Sequence, residues 1–261
     1  IFKVDPEKAH TLAIKSLKFN LIPNVFDENK NDSIFQTKIF NKVLDNPIGM
    51  AAGFDKNAEV YNALFKLGFG FVEVGTITPL KQYGNPKPRV FRLVEDEALI
   101  NRLGFNNHGA EIVKDRIKRN KKLGLLGINI GPNKDTSDRL NDYLIGLKTF
   151  HEEADYITIN ISSPNTENLR NFHEGGKLQD LLKSVITEKK NLNSNIPIAV
   201  KVSPDISEDQ VNQITEILLE NEINVVIVSN TSDATRDKLS NIQRHQKGGL
   251  SGKPIEEKSN I

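Results

Sequence analysis

Residues 156–166 read Tyr-Ile-Thr-Ile-Asn-Ile-Ser-Ser-Pro-Asn-Thr, and this stretch decides the fold class of the chain. Its first six residues are mainly apolar and β-branched, which is typical of a strand buried inside a sheet. The five residues that follow form a polar loop, and a helix-like pattern comes next at residues 178–189. A buried strand, a polar loop and a helix in this order make one unit of a parallel α/β fold.

The same order of elements recurs on both sides of this stretch. Short apolar runs at residues 48–50, 71–74, 126–130, 198–202 and 225–228 each end in a small or polar cluster. Helix-like segments at residues 58–67 and 208–220 separate some of these runs. The repetition predicts a parallel sheet covered by helices. The polar loops would meet at the carboxyl edge of that sheet, which is where α/β folds bind ligands.

Three of the predicted strands carry a polar residue near their ends: Asn129, Asn160 and Lys201. A strand buried on both faces in a parallel sheet is normally apolar along most of its length. Each residue taken alone fits either a locally satisfied buried group or a side chain that faces a ligand. Together they favour a shared polar cavity.

Composition excludes several classes of function. The chain has 261 residues with 35 Lys and Arg against 34 Asp and Glu, so a polyanion-binding surface is not favoured. It contains no cysteine, which excludes disulfides, thiolate metal sites and a cysteine nucleophile. Its five histidines show no metal-ligand spacing, so no metal site is predicted. No apolar run approaches the roughly 18 residues of a membrane-spanning helix.

The polar loop at residues 160–166 has two interpretations. Its amides and hydroxyls suit recognition of a planar imide or carboxylate, and a hydroxyl there would serve as a base if its proton had an outlet. The same residues also suit the cap of the following helix. The residues alone leave both interpretations open.

The turn at residues 51–57, Ala-Ala-Gly-Phe-Asp-Lys-Asn, is similarly ambiguous. Its small residues would let a flat ligand approach the backbone closely, with Lys56 as a nearby cation. Alternatively, it is a strand-to-helix turn in which Asp55 is the cap. It matches neither a dinucleotide-binding nor an ATP-binding glycine loop.

Two regions lie outside the repeated units. Asp5, Pro6 and apolar residues at helical spacing predict a helix over residues 5–18, and residues 27–32 have the composition of a linker. We therefore divide the chain into a helical segment with linker at 1–40 and a barrel domain at 41–261. Residues 85–93, which precede a further polar segment at 101–107, predict a turn and a short extra strand, inserted between barrel units as a wall over the site.

These motifs together resemble the dihydroorotate dehydrogenase family, from Asp-Pro-Glu-Lys-Ala-His at 5–10 to Gly-Gly-Leu-Ser-Gly-Lys-Pro at 248–254. The resemblance implies a (β/α)8 TIM barrel with FMN across the carboxyl ends of its strands. It also implies oxidation of dihydroorotate to orotate in pyrimidine (UMP) biosynthesis. The FMN contacts implied are Ala51, Ala52, Gly53, Thr76, Asn129, Asn160, Lys201, Ser229 and Gly252.

The resemblance also implies the substrate contacts, which are Lys56, Asn101, Asn160, Asn165, Asn230 and Thr231. The four asparagines suit a cyclic ureide, and Lys56 suits its negative charge. Ser163 matches the catalytic base that removes the C5 proton while hydride passes from C6 to the flavin. Thr166 and Phe105 match positions that hold a water for the proton relay.

The family has branches, and two features resemble the membrane-associated, quinone-dependent class. Another main class uses a cysteine base, and this chain has no cysteine. The helix that begins at Asp5 resembles that of the quinone-dependent enzymes. A ubiquinone-type acceptor is implied, with peripheral contact through the N-terminal helices at the cytoplasmic face of a bacterial inner membrane.

Two other functions are alternatives to this dehydrogenase, and the number of predicted strands is smaller than a complete barrel requires. One is an inactive or flavin-free fragment that acts as a binding module, and another is a different FMN barrel enzyme. The second is disfavoured because Ser163 stands where a cysteine would be expected. Only six barrel strands are predicted, so we expect a fragment that lacks the last two βα units, each on the order of 30 residues.

Overall fold

The computed structural model describes residues 3–21, 33–234 and 236–260. Its strands are β1 Thr37–Ile39, β2 Lys42–Leu44, β3 Gly49–Met50, β4 Phe71–Ile77, β5 Val90–Leu93, β6 Ala98–Asn101, β7 Leu125–Ile130, β8 Tyr156–Asn160, β9 Ile198–Lys201, β10 Val225–Ile227 and β11 Gly249–Gly252. Its α-helices are α1 Pro6–Lys18, α2 Tyr61–Lys66, α3 Ala110–Lys118, α4 Arg139–Phe150, α5 Gly175–Asn191, α6 Glu208–Glu220 and α7 Glu256–Asn260.

The main sheet confirms the prediction from the repeated apolar runs. Its six strands lie in the order β10-β9-β8-β7-β4-β3, and every pair is parallel. The strand order follows the chain because each helix returns the backbone to the same end of the sheet. The fold is therefore an α/β half-barrel of the TIM type. Two further units stay a prediction, since the described residues contribute six strands to this sheet.

Helices pack on the outer face of the sheet and form the larger core. Fully buried side chains of α4 and α5, such as Tyr143, Phe150 and Leu181, lie against the strands. The α6 boundaries agree with the predicted 208–220. The Ser207 hydroxyl accepts from the backbone amide of Gln210, and the Gln210 side-chain oxygen accepts from the backbone amide of Ser207. The helix therefore begins with a capping box.

The second helix is shorter than predicted. It begins at Tyr61 and not at residue 58, because the preceding residues are held in a turn. The Asp55 carboxylate accepts bonds from the amides of Glu59 and Val60 at 2.8 and 2.7 Å. Ala58 has a φ of 52°, which is incompatible with a right-handed helix.

The inner face of the sheet has its own small core at the amino end of the strands. Leu44, Leu125, Tyr156 and Ala199 are buried there, and residues of the β1–β2 hairpin pack against them. Gly127 provides the space for the Tyr156 ring, which a Cβ at this position would overlap. An apolar plug therefore closes one end of the half-barrel and leaves the carboxyl end for polar residues.

The predicted insertion forms a second sheet. The short strand expected within residues 85–93 is β5, which pairs with β6, and β6 pairs with β11. The second pairing joins residues 98–101 to 249–252, so the glycine-rich segment near residue 250 belongs to this sheet. Gly252 pairs with Ala98 at its end.

The first helix lies beside this insertion. It begins at Pro6 with Asp5 as its cap, since the Asp5 carboxylate accepts from the Lys8 amide at 2.9 Å. The predicted linker at residues 27–32 lies outside the described residues. The division at residues 40 and 41 stays a proposal, and it falls inside the β1–β2 hairpin. None of the described helices is long and apolar enough to cross a membrane.

Candidate active site

A buried polar cluster occupies the carboxyl ends of β4, β7 and β8. The Thr76 hydroxyl donates to Asn129 Oδ1 at 2.7 Å. Asn160 Nδ2 donates to Thr76 Oγ1 at 3.0 Å and to Asn129 Oδ1 at 3.2 Å. All three residues are at most 8% exposed. The polar residues predicted from two of the strands are thus brought together with Thr76 in one hydrogen-bonded group.

Glu73 lies below this group inside the half-barrel, and the sequence reasoning did not select it. Its carboxylate accepts from Asn129 Nδ2 and from Thr158 Oγ1, each at 2.8 Å. Because the Asn129 amide donates to Glu73, its oxygen faces Thr76 and Asn160. A glutamate in the otherwise apolar run at 71–74 is the signal that would have identified it.

Lys201 neighbours Asn160 across the β8–β9 pairing. Burial lowers the pKa of Lys201, and the charge of Glu73 opposes that shift. Its Nζ makes no hydrogen bond or ion pair within the described part of the chain. A largely buried amine that bonds to none of the described residues is available to a ligand at this edge of the sheet.

The loop after β8 brings together the hydroxyl and amide side chains predicted for the substrate. Ser162 Oγ donates to Asn160 Oδ1 at 2.9 Å and accepts from Asn230 Nδ2 at 2.9 Å. Ser163, which is 5% exposed, accepts from the Asn165 amide at 3.2 Å. Asn165 Nδ2 approaches Asn101 Oδ1 at 3.4 Å. The four predicted asparagines therefore meet around residues 160–166. The cap interpretation is wrong, because the next α-helix, α5, has Glu174 as its N-cap and no side-chain cap hydrogen bond.

Three further predicted residues lie near this loop. Thr231 donates its amide to Asn230 Oδ1 at 2.8 Å, but its own buried hydroxyl has no partner in the described chain. The Phe105 ring lies next to Gly131, and Thr166 is buried. No hydrogen bond joins the Thr166 side chain to Ser163 among the residues described.

The turn at 51–57 combines both interpretations drawn from its sequence. Asp55 caps the turn, as described above, while Gly53 has a φ of 108° and open space where a Cβ would lie. The Gly53 amide donates to the Gly75 carbonyl at 2.8 Å, which ties the turn to β4. Ala52, which precedes Gly53, is half-buried, and Ala51 is exposed. The backbone at Gly53 is thus held in place with one face open to a flat ligand.

Lys56 lies on the outer side of this turn. Its Nζ donates to the Gly53 carbonyl, and burial lowers the pKa of Lys56 to about 8. The described contacts do not join it to the asparagines. It lines a cavity of about 410 Å³ together with Glu7, His10 and Ile14 of α1 and Phe54 of the turn.

The wall of this cavity is held by two contacts from α1. Glu7 Oε1 pairs with Arg89 Nη2 at 2.6 Å, and Arg89 is 6% exposed. His10 Nε2 lies 2.7 Å from the Phe54 carbonyl. These contacts attach α1 to the insertion and to the 51–57 turn.

Two predicted cofactor residues lie apart from the buried cluster. Ser229 follows β10, and its hydroxyl contacts Ser259 of α7 at 2.9 Å. Gly252 ends β11 in the second sheet. The described contacts connect neither residue to Thr76, Asn129 or Asn160. Across residues 3–21, 33–234 and 236–260, no group of three or more His, Asp or Glu side chains could hold a metal ion.

The residues at the carboxyl edge fit a flat, anionic, hydrogen-bonding cofactor. The open face of Gly53 supplies space. The Lys201 amine, which bonds to none of the described residues, and the buried amides supply hydrogen-bonding groups. The fold and the site define an α/β barrel protein with a polar, ligand-sized site at the carboxyl edge of its parallel sheet.

A sequence model of the family described as Dihydroorotate dehydrogenase matches residues 34–260, and the chain belongs to this family. It is 45% identical over 263 residues to a dihydroorotate dehydrogenase (quinone) of Agrobacterium fabrum, covering 99% of this chain and 72% of the relative. It is 47% identical over 268 residues to a protein of the same name from Bartonella tribocorum, covering 100% and 73%. The family implies a flavin cofactor.

Solved structures show the same relationship. The ligand-free DHODH of Eimeria tenella superposes with a TM-score of 0.92 at 37% identity, covering 98% of this chain and 77% of that one. The complex of DHODH from the same organism with ferulenol gives a TM-score of 0.90 at 36% identity, covering 96% and 73%. The family expected from the sequence motifs is therefore confirmed.

Proposed function

We propose that this protein oxidises dihydroorotate to orotate in pyrimidine (UMP) biosynthesis and passes the electrons to a quinone. The observation that carries the proposal is the hydrogen-bonded group of Asn160, Ser162 and Asn230 beside the buried Ser163. The amides of Asn160 and Asn230 would bind the cyclic ureide, and the Ser163 hydroxyl would accept its C5 proton. The relatives named dihydroorotate dehydrogenase (quinone) support the same reaction.

FMN is the proposed cofactor. When bound, the flavin accepts hydride from C6 of dihydroorotate and delivers two electrons to the acceptor. The proposed contacts share the carboxyl edge or the segments near it: Ala51, Ala52, Gly53, Thr76, Asn129, Asn160, Lys201, Ser229 and Gly252. Glu73 supports them by fixing the amide orientation of Asn129.

The substrate would be held by amides from two strand ends and two loops. Asn101, Asn160, Asn165 and Asn230 each offer a donor and an acceptor, which the imide and carbonyl groups of a cyclic ureide require. The Thr231 hydroxyl, which has no hydrogen-bond partner among the described residues, adds one more group. Lys56 would supply the positive charge for the carboxylate, after its ammonium exchanges the Gly53 carbonyl for the substrate.

Ser163 is the proposed base for the C5 proton. The Asn165 amide already donates to its oxygen, which helps to stabilise developing negative charge there. Burial excludes bulk water, so the proton needs a defined exit. Thr166 and Phe105 are proposed to border that exit.

The acceptor would enter through the cavity between α1 and the 51–57 turn. Its apolar wall includes Ile14, Phe54 and Leu99, which suits a quinone ring, and it reaches Gly53 on the flavin side. Leu12, Phe19 and Leu21 in and after α1 are 57–71% exposed, which supports peripheral contact with a membrane. We place the protein at the cytoplasmic face of a bacterial inner membrane.

Anaerobic mixing with dihydroorotate, followed by addition of a ubiquinone analogue, tests the proposal. We expect the visible flavin absorbance to bleach and then to return. Ser163→Ala should lower turnover by about 1,000-fold while the bound flavin remains, because only the proton acceptor is lost. Folded protein that lacks flavin bands would support a flavin-free binding module instead. Folded protein that shows flavin bands but reduces no quinone with dihydroorotate would support an inactive fragment.

A further inference from the structure

Arg170 joins three loops at the carboxyl edge of the sheet. Its Nε donates to the Ser162 carbonyl at 3.0 Å, and its Nη2 donates to the Thr231 carbonyl at 2.7 Å. Its Nη1 pairs with Asp205 at 3.0 Å and with Asp233 at 2.5 Å. These partners follow β8, β9 and β10, so one guanidinium connects the ends of three neighbouring strands.

The two carbonyl bonds are adjacent to the proposed chemistry. Ser162 precedes Ser163, the proposed base, and Thr231 follows Asn230, a proposed substrate contact. A guanidinium is planar and carries five N–H groups in fixed directions, so its Nε and Nη2 bonds set the separation of these two carbonyls. A lysine ammonium at the same position lacks this fixed fork.

The acidic side of the arrangement holds the guanidinium in place. Asp205 also accepts from Ser232 Oγ, from the Asp233 amide and from Lys258 Nζ. Burial opposes the charge of Asp205, but the bonds from Lys258 and Ser232 hold its pKa below the usual range. The anchor is therefore a carboxylate over the neutral pH range.

We propose that Arg170 is a positioning residue that fixes the 160–166 loop relative to the 229–233 loop for removal of the substrate proton. The inference rests on the proposed dehydrogenase function. Arg170 touches the backbone beside Ser163 and Asn230, and it acts on the reaction through them.

The test separates the two half-reactions of the flavin-loaded protein by stopped flow. Arg170→Gln and Arg170→Lys should bleach the flavin with dihydroorotate about 100-fold and about 10-fold more slowly, because a displacement near 1 Å has effects of this order. Reoxidation by a ubiquinone analogue should stay within about twofold of the unsubstituted protein. Arg119→Gln is the matched control, since this residue directly follows α3 and its side chain is 80% exposed, and it should change neither rate.

Asp233→Asn provides a second variant, since it weakens one partner of the ion pair and leaves both carbonyl bonds. It should bleach within about threefold of the unsubstituted protein, because Asp205 still holds the guanidinium. If Arg170→Gln bleaches at the unsubstituted rate, Arg170 does not position the base. Equal slowing of both half-reactions, or loss of flavin from both Arg170 variants, would show a general structural role and overturn the proposal. If the unsubstituted protein itself fails to bleach, the proposed function fails first.

Discussion

The two sides of the candidate site are built in opposite ways. On the inner side, Glu73, Asn129 and Asn160 are strand residues whose polar atoms bond to one another inside the half-barrel. On the outer side, Gly53 and Lys56 belong to a turn that borders a cavity, with His10 of α1 across from them. These three inner residues have hydrogen-bond partners for their side chains, whereas the outer side has open space beside a turn whose Lys56 has a lowered pKa. The comparison teaches that the strands fix the orientations of the polar side chains in the site, while the turn and α1 leave a cavity through which ligands can enter.

Loss of the Glu73 carboxylate should have the largest effect on folding. Glu73→Leu would leave Asn129 Nδ2 and Thr158 Oγ1 without their acceptor in the interior. We expect the free energy of unfolding to fall by about 3 kcal/mol, because each buried donor without a partner costs about 1–3 kcal/mol. Urea unfolding followed by circular dichroism measures this change.

Glu174→Leu is the control for that substitution, since its side chain is 59% exposed. Its effect should stay within about 0.5 kcal/mol. If the two variants unfolded at the same urea concentration, the inner side would not be the rigid half of the site.

Substitution of Glu7 should have a smaller effect, confined to the outer side. Glu7→Gln weakens the pair with Arg89, whose guanidinium also donates to the Tyr83 and Asn85 carbonyls at 2.7 and 2.9 Å. We expect a loss of about 1–2 kcal/mol, because those two bonds remain. The attachment of α1 should loosen, so the KM for the quinone analogue should rise more than the KM for dihydroorotate.

Lys8→Gln on the exposed face of α1 is the matched control, because it changes the charge of the same helix by one unit. It should leave both KM values unchanged. Equal increases in both KM values for Glu7→Gln would show that the two sides of the site are not separable.

The sequence predicts the inner side better than the outer one. The six strands follow from local apolar runs, and Asn129, Asn160 and Lys201 interrupt those runs. The early start predicted for α2 was wrong because the Asp55 turn depends on contacts made over five residues, which apolar periodicity does not reveal. Glu73 interrupts an apolar run, but its partners and those of Arg170 lie as far as 85 and 63 residues away, so only the folded chain shows which groups they bind. The pairing of β6 with β11 also joins residues that are far apart in the sequence, so local patterns did not predict it.

The smallest predicted effect is a change of orotate affinity with pH, which should arise on the outer side of the site. Burial lowers the folded-state pKa of Lys56 to about 8, against an ordinary value of 10.5. Because the unfolded chain binds more protons between these values, the contribution of Lys56 to stability rises with pH from about 8 to about 10.5. The ammonium that would hold the substrate carboxylate is lost over the same interval. Affinity for orotate should therefore fall up to about tenfold per pH unit above about 8.

Titration of the flavin absorbance with orotate between pH 6.5 and 9.5 measures this dependence. Lys56→Met should bind orotate weakly at every pH and lose the decline above about 8, whereas Lys8→Gln should keep it. A decline of the same size in Lys56→Met would assign the titration to another group and remove Lys56 from the substrate contacts. Asn160 and Asn230 carry no charge, so the hydrogen bonds that they would make to orotate do not change with pH in this range. The part of the decline that Lys56→Met removes thus measures how much of the affinity comes from Lys56.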